Sequence, residues 1–174
     1  VALSGETLLA AFEGTLEEVY PTEFEQSQVI EDVPAVASDA VIKASEKVAE
    51  PLVYIPVFPG TNSEYDSAKA FEQAGAKVNL VPFVTLDEAA IEASVDTMVD
   101  NIAKANIIFF AGGFSAADEP DGSAKFIVNI LLNQKVRAAI DSFIEKGGLI
   151  MGICNGFQAL VKSGLLPYGN FEDA

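Results

Sequence analysis

The chain has 174 residues, half of them hydrophobic, and a formal net charge of −16, enough for one domain of about 100 to 150 residues plus an appendage. The acidity argues against nucleic acid and anionic membranes as partners, and no stretch approaches the roughly 20 uninterrupted apolar residues of a membrane span. With no histidine and one cysteine, the sequence excludes histidine-ligated and Cys-x-x-Cys metal sites and an internal disulfide.

A lone cysteine suits a reducing, cytoplasmic compartment. The absence of histidine also leaves a cysteine nucleophile without its usual base. Arg137, the one arginine, makes the chain a weak host for a phosphorylated substrate. The N-terminus, Val1-Ala2-Leu3-Ser4, has neither an initiator Met nor a secretory signal, and looks like the continuation of a longer chain.

Residues 1–20 carry one helical pattern, with Leu8, Phe12, Leu16 and Val19 on one side and Glu6, Glu13, Glu17 and Glu18 mostly on the other. Pro21 closes it. Residues 21–51, rich in Ala, Ser, Val and acidic side chains and bounded by prolines, have the composition of a linker, with a weak helical period from Asp39 to Ala49.

At Leu52 the pattern sharpens into alternating strands and helices. Leu52–Phe58 is expected to be a strand ending in the turn Pro59-Gly60-Thr61-Asn62. Ser63, with Asp66, has the spacing of a capping box. The helix it opens would turn Ala68, Phe71 and Ala74 inward, and Gly75 would close it.

A second strand follows over Val78–Phe83. Thr85 and Glu88 predict a capped helix from Leu86 to about Ala105. Asn106–Phe110 is a third buried strand, ending in Ala111-Gly112-Gly113-Phe114-Ser115. After a loop through Asp118–Gly122, a helix is expected from about Ser123 to Leu132. Asn133 then caps another, with Val136, Ile140, Phe143 and Ile144 inward and Gly147 at its end.

The fourth strand is Leu149–Ile153, apolar and short as a strand covered on both faces should be. It runs into Gly152-Ile153-Cys154-Asn155-Gly156, the form of a nucleophile elbow, and then a helix ending near Ser163-Gly164, before a loop at Pro167-Tyr168-Gly169. In such a strand-to-helix turn the nucleophile's neighbours at two before and two after pass close together, so glycine fits at 152 and 156. The helix opening after Cys154 favours negative charge there, on a thiolate or on the oxyanion formed when it attacks a carbonyl. The plainer alternative, a small buried hydrophobic cysteine, does not account for the flanking glycines.

Alternating strands and helices with short connections imply an open parallel sheet with helices on both faces. In such sheets reactive groups gather at the carboxyl ends of the strands. That places the 60–62 turn, the 112–114 turn and the Cys154 elbow on one rim.

The stretch Gly152-Ile153-Cys154-Asn155-Gly156-Phe157-Gln158 resembles the Gly-x-Cys-x-Gly-x-Gln elbow of class I, triad-type glutamine amidotransferases, whose fold is flavodoxin-like. Within that class, Phe58–Asn62, Ala111–Ser115 and Gly164–Pro167 are similar to the glutaminase domains of phosphoribosylformylglycinamidine synthases. The acidic run from Ser115 to Ser123 is closer to their large, single-chain form. The resemblance covers residues 52–174, and residues 1–51 then look like the tail of a synthetase portion and its linker.

The resemblance implies that Cys154 attacks the side-chain amide of glutamine to form a thioester. The backbone N–H groups of Gly113 and Asn155 would hold the oxyanion. Gly112, Phe114 and Gln158 would line the glutamine site, with Gly152 and Gly156 supporting the elbow and no metal involved. Ammonia would pass to a synthetase domain of the same parent polypeptide, which would use ATP and Mg2+.

Class I triads also need a His and a carboxylate, carried C-terminal to the elbow. Without them this chain is expected to be inactive alone, and the sheet is expected to be incomplete at its C-terminal end. Two alternatives stand beside this reading. One is a non-catalytic amidotransferase-like module that braces or regulates a synthetase. The other is an elbow-cysteine hydrolase of the intracellular-protease or glyoxalase-like group, which usually carries a His near the elbow.

Overall fold

A computed structural model describes residues 2–21, 47–116 and 123–171. The chain divides into two compact units, residues 1–44 and 45–174. In the first, helix α1 (Gly5–Gly14) is capped by Ser4, whose side chain accepts from the Thr7 N–H at 3.2 Å. None of its residues is buried, and Leu8 and Phe12 lie exposed along it. The region read as a linker lies mostly, over 22–46, outside the described residues, as does the 118–122 loop.

The second unit holds the sheet. Strands β1 (Leu52–Val57), β2 (Lys77–Pro82), β3 (Ile107–Phe110) and β4 (Leu149–Gly152) are all parallel, in the order β2-β1-β3-β4. This is the beginning of the flavodoxin-like strand order. Helices α2 (Glu64–Gln73), α3 (Glu88–Lys104), α4 (Lys125–Leu131), α5 (Gln134–Glu145), α6 (Asn155–Lys162) and α7 (Leu165–Tyr168) complete the unit.

Strand residues alternate between two faces. Tyr54, Ile108 and Phe110 join Val95, Met98 and Ile102 of α3, Ile127 and Leu131 of α4, Val136 and Ile140 of α5 and Leu160 of α6 in the larger core. Val53, Ile55, Phe109 and Ala111 point the other way, against Ala68 and Phe71 of α2. Residues of five helices, Leu165 of α7 included, thus join the core on one face, and one helix covers the other. The described sheet is unequally clothed.

That inequality corrects the expectation for the fourth strand. Leu149 and Met151 stand in register with Ile107 and Phe109, on the α2 face, yet are 63% and 48% exposed, with Ile153 at 48%. The strand lies at the sheet edge, and α2 does not reach it. An apolar run shows which side chains favour cover, not whether the cover is supplied.

The helix caps differ in part from those expected. Ser63 precedes α2 but sits at φ 67°, makes no side-chain cap and so forms no capping box; a capping side chain requires an extended backbone at that position. Helix α3 is capped by Asp87, whose carboxylate accepts from the Ala90 N–H at 2.8 Å, two residues beyond Thr85. Asn133 caps α5 as expected, accepting from the Lys135 N–H at 3.0 Å. Gly75 and Gly147 close their helices at φ +91° and +81°, the left-handed conformation that glycine adopts without a Cβ clash. Ala74 is exposed rather than inward. The expected loop at 167–169 begins inside the single turn α7.

Candidate functional site at the carboxyl rim

The rim is built on an aromatic floor that the sequence did not disclose. Phe58 at the end of β1, Phe83 after β2, Phe110 at the end of β3 and Phe126 of α4 cluster together. Phe58 lies 5.5 Å from Phe83, 6.5 Å from Phe110 and 6.0 Å from Phe126 between ring centroids. Such pairs add about 0.5–1.5 kcal/mol each beyond their burial. They anchor the strand ends from which the turns emerge.

The turns after β1 and β3 interlock. The Asn62 N–H donates to the Gly112 carbonyl at 2.8 Å, the Phe114 N–H to the Gly60 carbonyl at 2.9 Å and the Ala116 N–H to the Pro59 carbonyl at 3.0 Å. Thr61 and Gly113 face each other as an isolated antiparallel bridge. A Cβ at Gly60 would lie 1.9 Å from the Phe114 carbonyl oxygen, and one at Gly113 would lie 2.4 Å from the Gly60 carbonyl oxygen. Only backbone fits between these turns. Among the described residues, the Gly113 N–H donates to no acceptor.

The elbow closes the site from the β4 side. Cys154 takes φ 50° and ψ −111° between β4 and α6, a strained backbone for a residue with a side chain, and strain of this kind gathers at functional sites. The thiol is exposed. Close approach holds the turn: a Cβ at Gly156 would lie 2.1 Å from the Phe110 carbonyl oxygen, and one at Gly152 would lie 2.6 Å from the Gly156 backbone. Both glycines are required by geometry, as expected.

The three turns meet. A Cβ placed on Gly112 would stand 3.3 Å from Cys154 Cβ and 3.5 Å from Ser63 Oγ. Asn155 is 2% exposed; its Oδ1 accepts from the Ser115 N–H at 3.1 Å and its Nδ2 donates to Gln158 Oε1 at 3.2 Å. Gln158 and Phe114 are exposed at the rim. Every residue singled out from the sequence therefore lies on the elbow or on the turn beside it. The contributions of Ser63 and of the Asn155 side chain were not legible, since each depends on a partner distant in sequence.

Arg137 sits elsewhere, its Nη2 donating to the Phe171 carbonyl at 3.3 Å and its guanidinium over the Phe171 ring. Among the described residues no group of three or more His, Cys, Asp or Glu could hold a metal. No helix there is long and apolar enough to cross a membrane.

A cysteine raised at a strained strand-to-helix turn, on a parallel sheet ordered 2-1-3-4, defines the class of α/β proteins with a nucleophile elbow. Residues 50–174 match the CobB/CobQ-like glutamine amidotransferase domain, and the chain belongs to that family.

Its relatives are PurQ-like. The phosphoribosylformylglycinamidine synthase subunit PurQ of Dehalococcoides mccartyi is 39% identical over 109 residues, 63% of this chain and 38% of the relative. Its counterpart from Roseobacter denitrificans is 38% identical over 113 residues, 65% of this chain and 43% of the relative. The chain spans about two fifths of the length of these relatives. A solved structure of PurLQS from Thermotoga maritima aligns at 28% identity with a TM-score of 0.47, over 67% of this chain and 45% of the other.

Proposed function

We propose that this chain carries the nucleophile of a glutaminase that serves a phosphoribosylformylglycinamidine synthase. The observation that supports it most directly is Cys154, exposed at φ 50° between β4 and α6 with the two glycine turns closed beside it.

In this reading the Cys154 Sγ attacks the side-chain carbonyl carbon of glutamine. The Gly113 and Asn155 N–H groups hold the oxyanion of the tetrahedral intermediate. The C–N bond breaks, and ammonia leaves with a proton taken from the general acid. Water then attacks the thioester, releasing glutamate and restoring the thiol. Gly112, Phe114 and Gln158 border the glutamine site, and Gly152 and Gly156 let the elbow turn.

The chain contains no histidine, so the base comes from outside residues 1–174 and the chain alone does not turn over. Residues 1–49, ahead of the family match, support a parent of the large single-chain form, in the cytoplasm. There a synthetase domain, with ATP and Mg2+, uses the ammonia to convert formylglycinamide ribonucleotide to formylglycinamidine ribonucleotide. The missing histidine equally favours a second reading, a non-catalytic module bracing a synthetase.

Treating the whole parent protein with a glutamine-like alkylating analogue separates the two. Modification of Cys154 alone, with glutaminase activity abolished by Cys154→Ala, is the expected result. An unlabelled Cys154 in the intact protein would overturn the proposal, and glutamate release by residues 1–174 alone would overturn the external base.

A further inference from the structure

Asn155 is buried at the junction of the 112–115 turn and the elbow helix, and its side chain touches both. The Ser115 N–H can only donate, so the atom facing it at 3.1 Å is the Asn155 oxygen. The Asn155 nitrogen is thereby turned toward Gln158, where, as a donor, it selects the acceptor Oε1 at 3.2 Å. One backbone N–H thus orients two side-chain amides in series.

With its oxygen engaged, Gln158 has its NH2 left to present outward. Gln158 itself is tied to the elbow, its N–H donating to the Cys154 carbonyl at 2.9 Å. The Gly112–Ser115 turn is likewise pinned to α6 through the same Asn155. The nucleophile's helix, the turn beside it and the rim amide are thus linked through one buried side chain.

We propose that the Asn155 side chain is a positioning residue that clamps the 112–115 turn to the elbow helix and fixes Gln158 as a hydrogen-bond donor toward the substrate. This role is separate from that of the Asn155 backbone N–H, which every substitution but proline keeps. It rests on the glutaminase reading for the identity of the substrate; the donor itself would meet an acceptor such as a carboxylate.

Asn155→Asp tests it in the intact parent protein. The variant keeps an oxygen for Ser115 but turns an acceptor toward Gln158, whose amide then reverses and faces outward with its oxygen. The KM for glutamine is expected to rise about tenfold, the effect of one hydrogen bond, with kcat changed less. In a Gln158→Ala background the same substitution should add less than about twofold to KM, because its target is gone. Equal increases in both backgrounds, or no increase in either, would overturn the proposal.

Gln158→Glu, at an exposed position that leaves the fold intact, is a second route. It still accepts from Asn155 but offers no outward NH2, so KM should again rise about tenfold; wild-type binding by this variant overturns the donor role. Hydrogen exchange at the Ser115 amide reports the clamp without any turnover. It should quicken in Asn155→Leu relative to Gln158→Ala, and unchanged protection refutes the clamp. Absence of glutamine hydrolysis by the wild-type parent would overturn the glutaminase reading while the exchange result still decides the clamp.

Discussion

Replacing Gly156 by Ala probes the closest approach in the elbow. The added methyl would stand 2.1 Å from the Phe110 carbonyl oxygen and 2.6 Å from its carbon, where ordinary contact begins at 3.4 Å. The shortfall of about 1.3 Å lies between two stretches of backbone, so no side-chain rotation relieves it. Helix α6 must withdraw from β3, loosening Ala159 and Leu160, which are buried in the larger core. Overpacking of this kind costs about 1–3 kcal/mol, and here the upper end applies.

The Phe110 carbonyl also accepts the Ile153 N–H at 3.1 Å. Distorting that hydrogen bond adds about 1 kcal/mol. The total, about 4 kcal/mol, corresponds to a fall of roughly 15 °C in Tm for a unit of this size. A shift of the elbow by about an ångström should also lower glutaminase activity of the intact parent by about 100-fold.

Gly147→Ala is the control. Its φ of +81° carries backbone strain of about 1–2 kcal/mol, but nothing lies within 4 Å of its Cβ position. Denaturant titration of both variants decides the matter. A Gly156→Ala protein as stable as wild type, or one no less stable than Gly147→Ala, would refute the steric argument.

Two further outcomes follow from burial. Tyr54 is buried, and desolvation holds its phenol above the ordinary value. Its neutral form therefore supports folding fully below about pH 10, and that support is lost as pH rises beyond. Denaturation midpoints should fall above roughly pH 10, and less steeply in Tyr54→Phe; equal slopes would contradict the burial. Phe58→Ala, which removes a ring in contact with three others, should cost about 3–5 kcal/mol. Phe71→Ala, half-buried with one ring partner, should cost less by the same titration.

The sheet and the elbow were legible because both rest on local rules. Short apolar runs between turn residues gave the four strands, and close backbone approach demanded glycine at 152 and 156. Helix starts were harder, because several polar residues stand near each one. Asp87 rather than Thr85 caps α3, and Ser63 fails as a cap through a backbone angle that its identity does not reveal. The β4 edge was misjudged because Leu149, Met151 and Ile153 are apolar whether or not anything covers them. The Asn155–Ser115 contact joins residues 40 apart in sequence, and no spacing rule points to it.

The interlocked turns also restrict how this rim can vary. Gly60 and Gly113 each stand against backbone of the other's turn, at 1.9 and 2.4 Å from where a Cβ would be. Neither clash can be relieved by shrinking the partner, because the obstruction is main chain and not side chain. A substitution at either position thus has no compensating substitution at the other, and the two are locked independently. Heritable change at this rim is channelled into outward side chains such as that of exposed Phe114, which can be exchanged while the two crossed strands of backbone stay as they are.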